Sequence, residues 1–297
     1  IKRGVSNTET GRPMSEDYHF RIGSNTKTII GTAVLILVDE GKIRLDTPIA
    51  TYLPEYNIPN GNRITVRMLG NMTSGLFDYA SDPAFFDPLL SSSGYSYAYT
   101  PGELLAVSFR HVPNFEPGAM WDYCNTNFVL LGLLLEKVTG KPAKQVIQEK
   151  VIQPMGLTHT YWPDAGAQTA PYAHGYTSYF GNTVDATNWN PSWADTAGIL
   201  VSTFADMKIW AKAVAEGTLL SKQMQAERFK WGADNVHYGF GVTLAFSWIG
   251  HAGTIFGYNS HVLYNAEKKI TYIVLVNTET DHPVEQFTNE FMSILGW

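Results

Sequence analysis

Phe20-Arg21-Ile22-Gly23-Ser24-Asn25-Thr26-Lys27-Thr28-Ile29-Ile30-Gly31-Thr32-Ala33-Val34-Leu35-Ile36-Leu37-Val38-Asp39-Glu40-Gly41 is the stretch on which the reading of this chain turns. It predicts one helix over residues 24–40. Ser24 is a good N-cap type, and Gly41 suits the left-handed position that follows a helix end. The apolar residues Ile29, Ile30, Val34, Leu35, Ile36, Leu37 and Val38 go around the helix instead of down one stripe. A helix apolar on all sides is a buried one, so Ser24 is expected at the mouth of a helix driven through the centre of the protein. Ser24 and Lys27 are three apart and share a helix face. A serine needs an adjacent base to act as a nucleophile. A lysine in a dry pocket has its pKa pulled down and can accept the serine proton. The helix N-terminus favours developing negative charge. Taken alone, Ser-x-x-Lys is common by chance and reads first as a capping serine with a surface lysine one turn on.

Outward from this helix, residues 1–5 read as a short strand and residues 8–13 as a Gly- and Pro-marked turn. Helical patterns cover 66–72, 101–111, 127–138 and 143–151, separated by loops rich in Ser, Pro, Gly and aromatics. No convincing alternating strand interrupts them, so this region is expected to be mainly helical. A capped helix is predicted from Ser202, with Asp206 in its first turn, to near Gly217. The C-terminal part changes character. Residues 238–247, 258–264 and 270–277 are rich in β-branched and aromatic residues, and 265–269 reads as a hairpin turn. Residues 283–295 read as a closing helix. The expected fold class is α/β in the α+β sense: an antiparallel β-sheet flanked by helices, plus an inserted mainly helical region. Residues 1–22 and 200–297 are assigned to a discontinuous sheet domain and 23–199 to the helical domain, with the active site at their junction.

Composition narrows the function. Of 297 residues, 44% are hydrophobic and 16% charged, which calls for a sizeable core. The net charge of -6 comes without any basic stripe, so no nucleic acid partner is expected. No run of about 18 apolar residues is present, so no transmembrane segment is expected. Residues 1–5 do not have the form of a signal peptide. The single cysteine, Cys124, cannot form a disulfide within the chain and reads as a small buried filler. His159, His174, His237 and His261 are scattered without ligand spacing, so no metal is expected. No Gly-rich loop has dinucleotide spacing, so no cofactor is implied. Most Trp and Tyr residues read as core, with Tyr95, Tyr97, Trp162 and Trp193 as candidates for a cleft rim.

Two more motifs carry chemistry. In Tyr123-Cys124-Asn125 a phenol beside an amine can relay protons, and an amide two residues on can hold a substrate carbonyl and the lysine. The bland alternative is a core tyrosine before a helix-capping asparagine. His251-Ala252-Gly253, followed by Thr254, is read as the end of a strand whose edge offers backbone groups to an extended substrate. Gly253 allows close backbone approach, and the Thr254 N–H can pair with that of Ser24 as an oxyanion hole.

The order and spacing of Ser24-Asn25-Thr26-Lys27, Tyr123-Cys124-Asn125 and His251-Ala252-Gly253 resemble those of penicillin-binding proteins, class C β-lactamases and related DD-peptidases and esterases. Within that family the match is nearest to the soluble serine DD-carboxypeptidase/transpeptidase type. The flanks Phe20-Arg21-Ile22-Gly23, Asn71-Met72-Thr73-Ser74-Gly75-Leu76, Glu116-Pro117-Gly118-Ala119, Thr126-Asn127-Phe128 and Gly250 share the likeness, which covers essentially the whole chain. The resemblance implies a β-lactamase/transpeptidase-like fold and a two-step acyl transfer. It makes Ser24 the nucleophile, Lys27 its base, Tyr123 the acid/base and Asn125 the amide that holds substrate. His251, Ala252 and Gly253 become the third motif, the Ser24 and Thr254 amides the oxyanion donors, and Trp193 part of the cleft rim. It implies a small-molecule or peptide substrate: a D-Ala-D-Ala peptide, a β-lactam or an ester. It also implies an extracellular or periplasmic setting.

Two departures qualify it. Ala252 stands where the family usually has a hydroxyl residue that helps bind a free carboxylate, and His251 stands in place of lysine. That leaves room for an esterase, a D-aminopeptidase or amidase, or a slow-turnover penicillin sensor, beside a β-lactamase or the D-alanyl-D-alanine carboxypeptidase that the resemblance favours. Family members also carry a helix and a strand before the segment that opens this chain, so the expectation is either a sheet that lacks a strand or a sequence that is a piece of a longer one.

Overall fold

A computed structural model describes residues 1–90, 94–178, 181–231, 236–245, 247–279 and 283–294. The predicted central helix forms as a 3₁₀ turn, Gly23–Asn25, that runs into α1 (Thr26–Asp39). Every residue from Thr26 to Leu35 is buried, as is Leu37. Each fully buried Ile or Leu contributes about 1.5–3 kcal/mol, so the all-round apolar pattern is what seats this helix in the core. Gly41 follows the helix end at φ 73°, where a β-carbon is disfavoured. Ser24 does not cap α1. It lies within the 3₁₀ turn, and its hydroxyl is used elsewhere.

Against α1 packs α3 (Asn125–Thr139), which in turn carries α2 (Pro101–Phe109), while α4 (Phe204–Glu216) and, late in the chain, α5 (Pro283–Ile294) lie against the strands formed by residues 258–265 and 270–276. A capping box starts α2: Thr100 Oγ1 accepts from Glu103 N at 3.2 Å, and Glu103 Oε2 accepts from Thr100 N at 2.7 Å. Leu130, Leu131 and Leu134 of α3 share one core with Ile29, Ile30 and Val34 of α1 and with Trp210 of α4. Trp210 also donates its indole N–H to Thr28 Oγ1 at 2.7 Å. No helix among the described residues is long and apolar enough to cross a membrane.

The strands are β1 (Val5–Asn7), β2 (Arg12–Pro13), β3 (His19–Arg21), β4 (Tyr176–Thr177), β5 (Val184–Asp185), β6 (Val201–Thr203), β7 (Thr243–Ala245), β8 (Trp248–Ile255), β9 (Tyr258–Asn265) and β10 (Ile270–Val276). The main sheet is antiparallel in the order β10-β9-β8-β7, as expected from the hairpin pattern. Separate antiparallel pairs join β1 to β2, β3 to β6 and β4 to β5. Thus β3, immediately before the Ser24 turn, is tied to a strand far along the chain.

Several sequence expectations need correction. His251-Ala252-Gly253 is not at a strand end but in the middle of β8, where Ala252 pairs with His261 and Gly253 with Ser260. The strand expected over 238–247 shortens to Thr243–Ala245, with Phe246 outside the described residues. Ser202 belongs to β6, and Thr203 caps α4 by accepting from Asp206 N at 3.3 Å. The first strand begins at Val5, and Arg12 and Pro13 belong to its partner instead of the turn. The β4–β5 hairpin lies in the region expected to be free of strands. The helix expected from 127 starts at Asn125, and Leu295 of the closing helix lies outside the described residues.

Candidate active site

Two glycines bring the Ser24 turn against β8. A β-carbon on Gly23, which sits at φ 50°, would lie 2.8 Å from the Thr254 nitrogen. One on Gly253 would lie 2.1 Å from the Ile22 oxygen and 3.0 Å from the Ser24 nitrogen. Only residues without a side chain permit this backbone approach. β7 pairs with Trp248–Gly250 alone, so it leaves the β8 edge beyond Gly250 open to the turn. Asn25 fastens the turn to β9 by donating from Nδ2 to Ser260 Oγ at 2.9 Å. Buried Arg21 donates to the carbonyls of Thr187 at 2.9 Å and Trp189 at 2.6 Å, which anchors the segment leading to Trp193.

Lys27 is fully buried beneath Ser24. Its Nζ lies 2.9 Å from Ser24 Oγ, 2.8 Å from Asn125 Oδ1 and 2.7 Å from the Ala197 oxygen. Burial pulls its pKa from the ordinary amine value down to about 7, against the opposing pull of the Asp78 carboxylate. A neutral amine fits these neighbours: two N–H groups donate to Asn125 Oδ1 and the Ala197 carbonyl, and the lone pair faces the Ser24 hydroxyl proton. Tyr123 donates its phenolic O–H to Ser24 Oγ at 2.8 Å. Desolvation pushes the Tyr123 phenol well above its usual range, so it holds its proton while Lys27 can lose one.

No motif in the sequence pointed to Asp78. Its carboxylate accepts from Asn125 N at 3.2 Å and from Asn125 Nδ2 at 3.0 Å. With Nδ2 so engaged, Oδ1 is the atom left to face Lys27. Asp78→Asn lets the Asn125 amide turn its donors toward the lysine, and it removes the charge that supports a protonated Lys27. The expected result is a loss in kcat/KM of about 10- to 100-fold. The acid limb of the pH–rate profile should move to lower pH. An unmoved limb would show Asp78 to be merely structural.

His251 makes a different set of contacts from those the motif suggested. Its Nδ1 meets the carbonyl of Ala252, so the ring proton is on Nδ1, and Nε2 accepts from Tyr238 O–H at 2.9 Å. Burial, with the charge of Lys27 as a lesser cause, pushes its pKa down to about 3. His251 is therefore neutral, and Tyr238, unnoticed in the sequence, fixes its tautomer. Trp193 sits in a 3₁₀ turn with its ring edge-on to Phe86 at 5.2 Å, and its carbonyl accepts from Tyr79 O–H at 2.8 Å.

A cleft of about 370 Å³ opens above this cluster. Ser24, Tyr123, Asn125, Trp193, His251, Ala252, Gly253 and Thr254 all line it, with Lys27 beneath. Tyr95, Tyr97 and Trp162 do not; Tyr95, for instance, stacks on Trp189 at 4.2 Å. Tyr79 and Phe86 supply aromatic walls that no motif announced. Cys124 is buried, with its thiol donating to the Leu76 carbonyl at 3.3 Å, as a filler should be.

The profile of the family described as Beta-lactamase matches residues 2–295. The chain belongs to the beta-lactamase family. This beta-lactamase-family chain is thus a serine hydrolase of the superfamily that holds the penicillin-binding proteins. It is 27% identical to penicillin-binding protein PbpX of Bacillus subtilis, over 93% of this chain and 66% of the relative. It is 34% identical to the esterase EstB of Burkholderia gladioli, over 52% and 41%. The chain therefore spans less than two thirds of the length of these curated relatives. Among solved structures, a D-stereospecific amidohydrolase from Streptomyces sp. aligns with a TM-score of 0.83 and 34% identity, covering 89% of this chain and 83% of the other. D-amino acid amidase from Ochrobactrum anthropi aligns with a TM-score of 0.80 and 28% identity, covering 93% and 82%.

Proposed function

We propose that the chain is a serine amidase or esterase that acts through a covalent acyl-enzyme on small acyl donors without a free carboxylate, with amides and esters of D-amino acids as the best-supported class. The observation that carries this reading is the third motif. His251 is neutral and tied to Tyr238, and Ala252 offers no hydroxyl. A substrate carboxylate would find neither a cation nor a hydroxyl donor there, and burying it unpaired is costly. Among the described residues that line the cleft, none is Lys or Arg. The aromatic walls of Tyr79, Phe86 and Trp193 suit an apolar acyl side chain. The likeness to the D-stereospecific amidohydrolase and D-amino acid amidase supports the same class.

The chemistry balances with the groups present. Neutral Lys27 takes the Ser24 proton as Oγ bonds to the substrate carbonyl carbon. The amides of Ser24 and Thr254 receive the oxyanion. The C–N or C–O bond then breaks, the leaving atom takes a proton passed from Lys27 through Tyr123, and a Ser24 ester remains. Water, deprotonated by the same base, releases the acid.

The resemblance to PbpX favours a second reading, a D-alanyl-D-alanine carboxypeptidase. Comparing kcat/KM for D-phenylalanine amide, D-phenylalanine methyl ester and a diacyl-Lys-D-Ala-D-Ala peptide separates the two. The donors without a free carboxylate should win by at least about a hundredfold, because a site without partners for a carboxylate rejects it. A preference for the free-carboxylate peptide would overturn the proposal.

A further inference from the structure

Past Tyr123 lies a second cavity of about 260 Å³. It shares Tyr123, His251 and Ala252 with the catalytic cleft. Its further walls include Trp121, Val236 and Tyr238, none of which borders the cleft. Conversely, Tyr79, Phe86 and Trp193 border only the cleft. The lining is aromatic: Tyr238 stands edge-on to Tyr123 with ring centroids 6.1 Å apart, and Trp121 lies 6.0 Å from Tyr238. The small side chain of Ala252 stands at the junction of the two spaces.

We infer that this second cavity is a pocket for the departing half of the substrate, an aromatic or bulky apolar amine or alcohol, and that Trp121 and Val236 set the preference for it. This rests on the amidase or esterase reading above. The hydroxyl of Tyr123 sits 2.8 Å from Ser24 Oγ, and the proton that leaves Ser24 has to reach the departing nitrogen or oxygen. That atom therefore leaves on the Tyr123 side, and the second cavity opens there. The acyl half keeps the walls formed by Phe86 and Trp193. Cavities of about 150 Å³ already admit benzene, so a phenyl or benzyl group fits this one. Three of the polar groups facing it, besides His237 and Thr243, support an uncharged occupant: His251 is neutral, burial pushes His261 down to about 4, and the Tyr238 phenol is raised well above its usual range.

The test compares D-phenylalanine benzyl ester with the methyl ester in the wild-type chain and in Val236→Trp, which fills the pocket. The wild type should favour the benzyl ester in kcat/KM by about tenfold or more, the gain expected from burying an aromatic ring. Val236→Trp should abolish that preference. A benzyl-to-methyl ratio near unity in the wild type, or one unchanged by the substitution, would overturn the assignment. Should Val236→Trp fail to fold, Trp121→Ala, which removes a wall, must lower the same ratio. If the wild type hydrolyses neither ester, the amidase or esterase reading fails by itself. Ligand-observed NMR of benzyl alcohol then still decides the pocket. Binding lost in either folded variant supports it, and no binding to the wild type rejects it.

Discussion

Alanine at position 24 is expected to lower turnover of a D-amino acid ester by roughly a millionfold, the scale seen when a serine hydrolase loses its nucleophile. The loss should be chemical and not structural. Ser24 donates nothing that holds the fold: the turn is fixed by Asn25 on Ser260, by the contact of Gly23 with Gly253, and by the pairing of β3 with β6. Deleting one hydroxyl removes the acceptor for the Tyr123 O–H and the neighbour of the Lys27 amine, at a cost of about 1–3 kcal/mol at most. Steady-state kinetics with a thermal melt checks this. A variant that melts like the wild type and turns over nothing fits the account. One that keeps a tenth of its activity does not.

Replacing Lys27 with methionine is expected to cost about 10²- to 10⁴-fold in kcat/KM, the range of a lost general base. The pH dependence of the wild type gives the same group a signature. Burial sets its pKa at about 7, and only the neutral amine can accept the serine proton. The rate kcat/KM should therefore fall tenfold per pH unit well below 7 and level off above about 8. His251, with a pKa of about 3, contributes no limb in this range. In Lys27→Met the limb should vanish. A profile still rising toward the ordinary lysine value would show that the amine is not desolvated, and an acid limb near 4 would point to a carboxylate base.

Much of this site could be read from the sequence because its parts are local. Ser24 and Lys27 are neighbours on one turn, and the apolar residues around α1 announce burial by their pattern alone. β9 and β10 were legible for the same reason, being rich in Val, Ile and Tyr and joined by a short turn. β8 was not. Gly250 and Gly253 lower its strand propensity, yet both are demanded by distant backbone. A β-carbon at Gly250 would lie 1.9 Å from the Val262 oxygen, and one at Gly253 would lie 2.1 Å from the Ile22 oxygen. Asp78 and Tyr238 were hidden because their roles exist only after folding. Asp78 meets Asn125 through two hydrogen bonds and Tyr238 meets His251 through one, each between separate elements and with no periodicity to mark it. The N-terminal edge of α1 misled in a different way: a serine suited to capping spends its hydroxyl on Lys27 and Tyr123. Chemistry overrode propensity at this position.

Ser24 is proposed to carry the acyl group during turnover. Rapid quenching of the wild-type chain with D-phenylalanine p-nitrophenyl ester, followed by intact-mass and peptide analysis, tests it directly. One phenylalanyl adduct is expected, confined to the peptide that contains Ser24 and absent from Ser24→Ala. An adduct on another residue, or full turnover by Ser24→Ala, would contradict it.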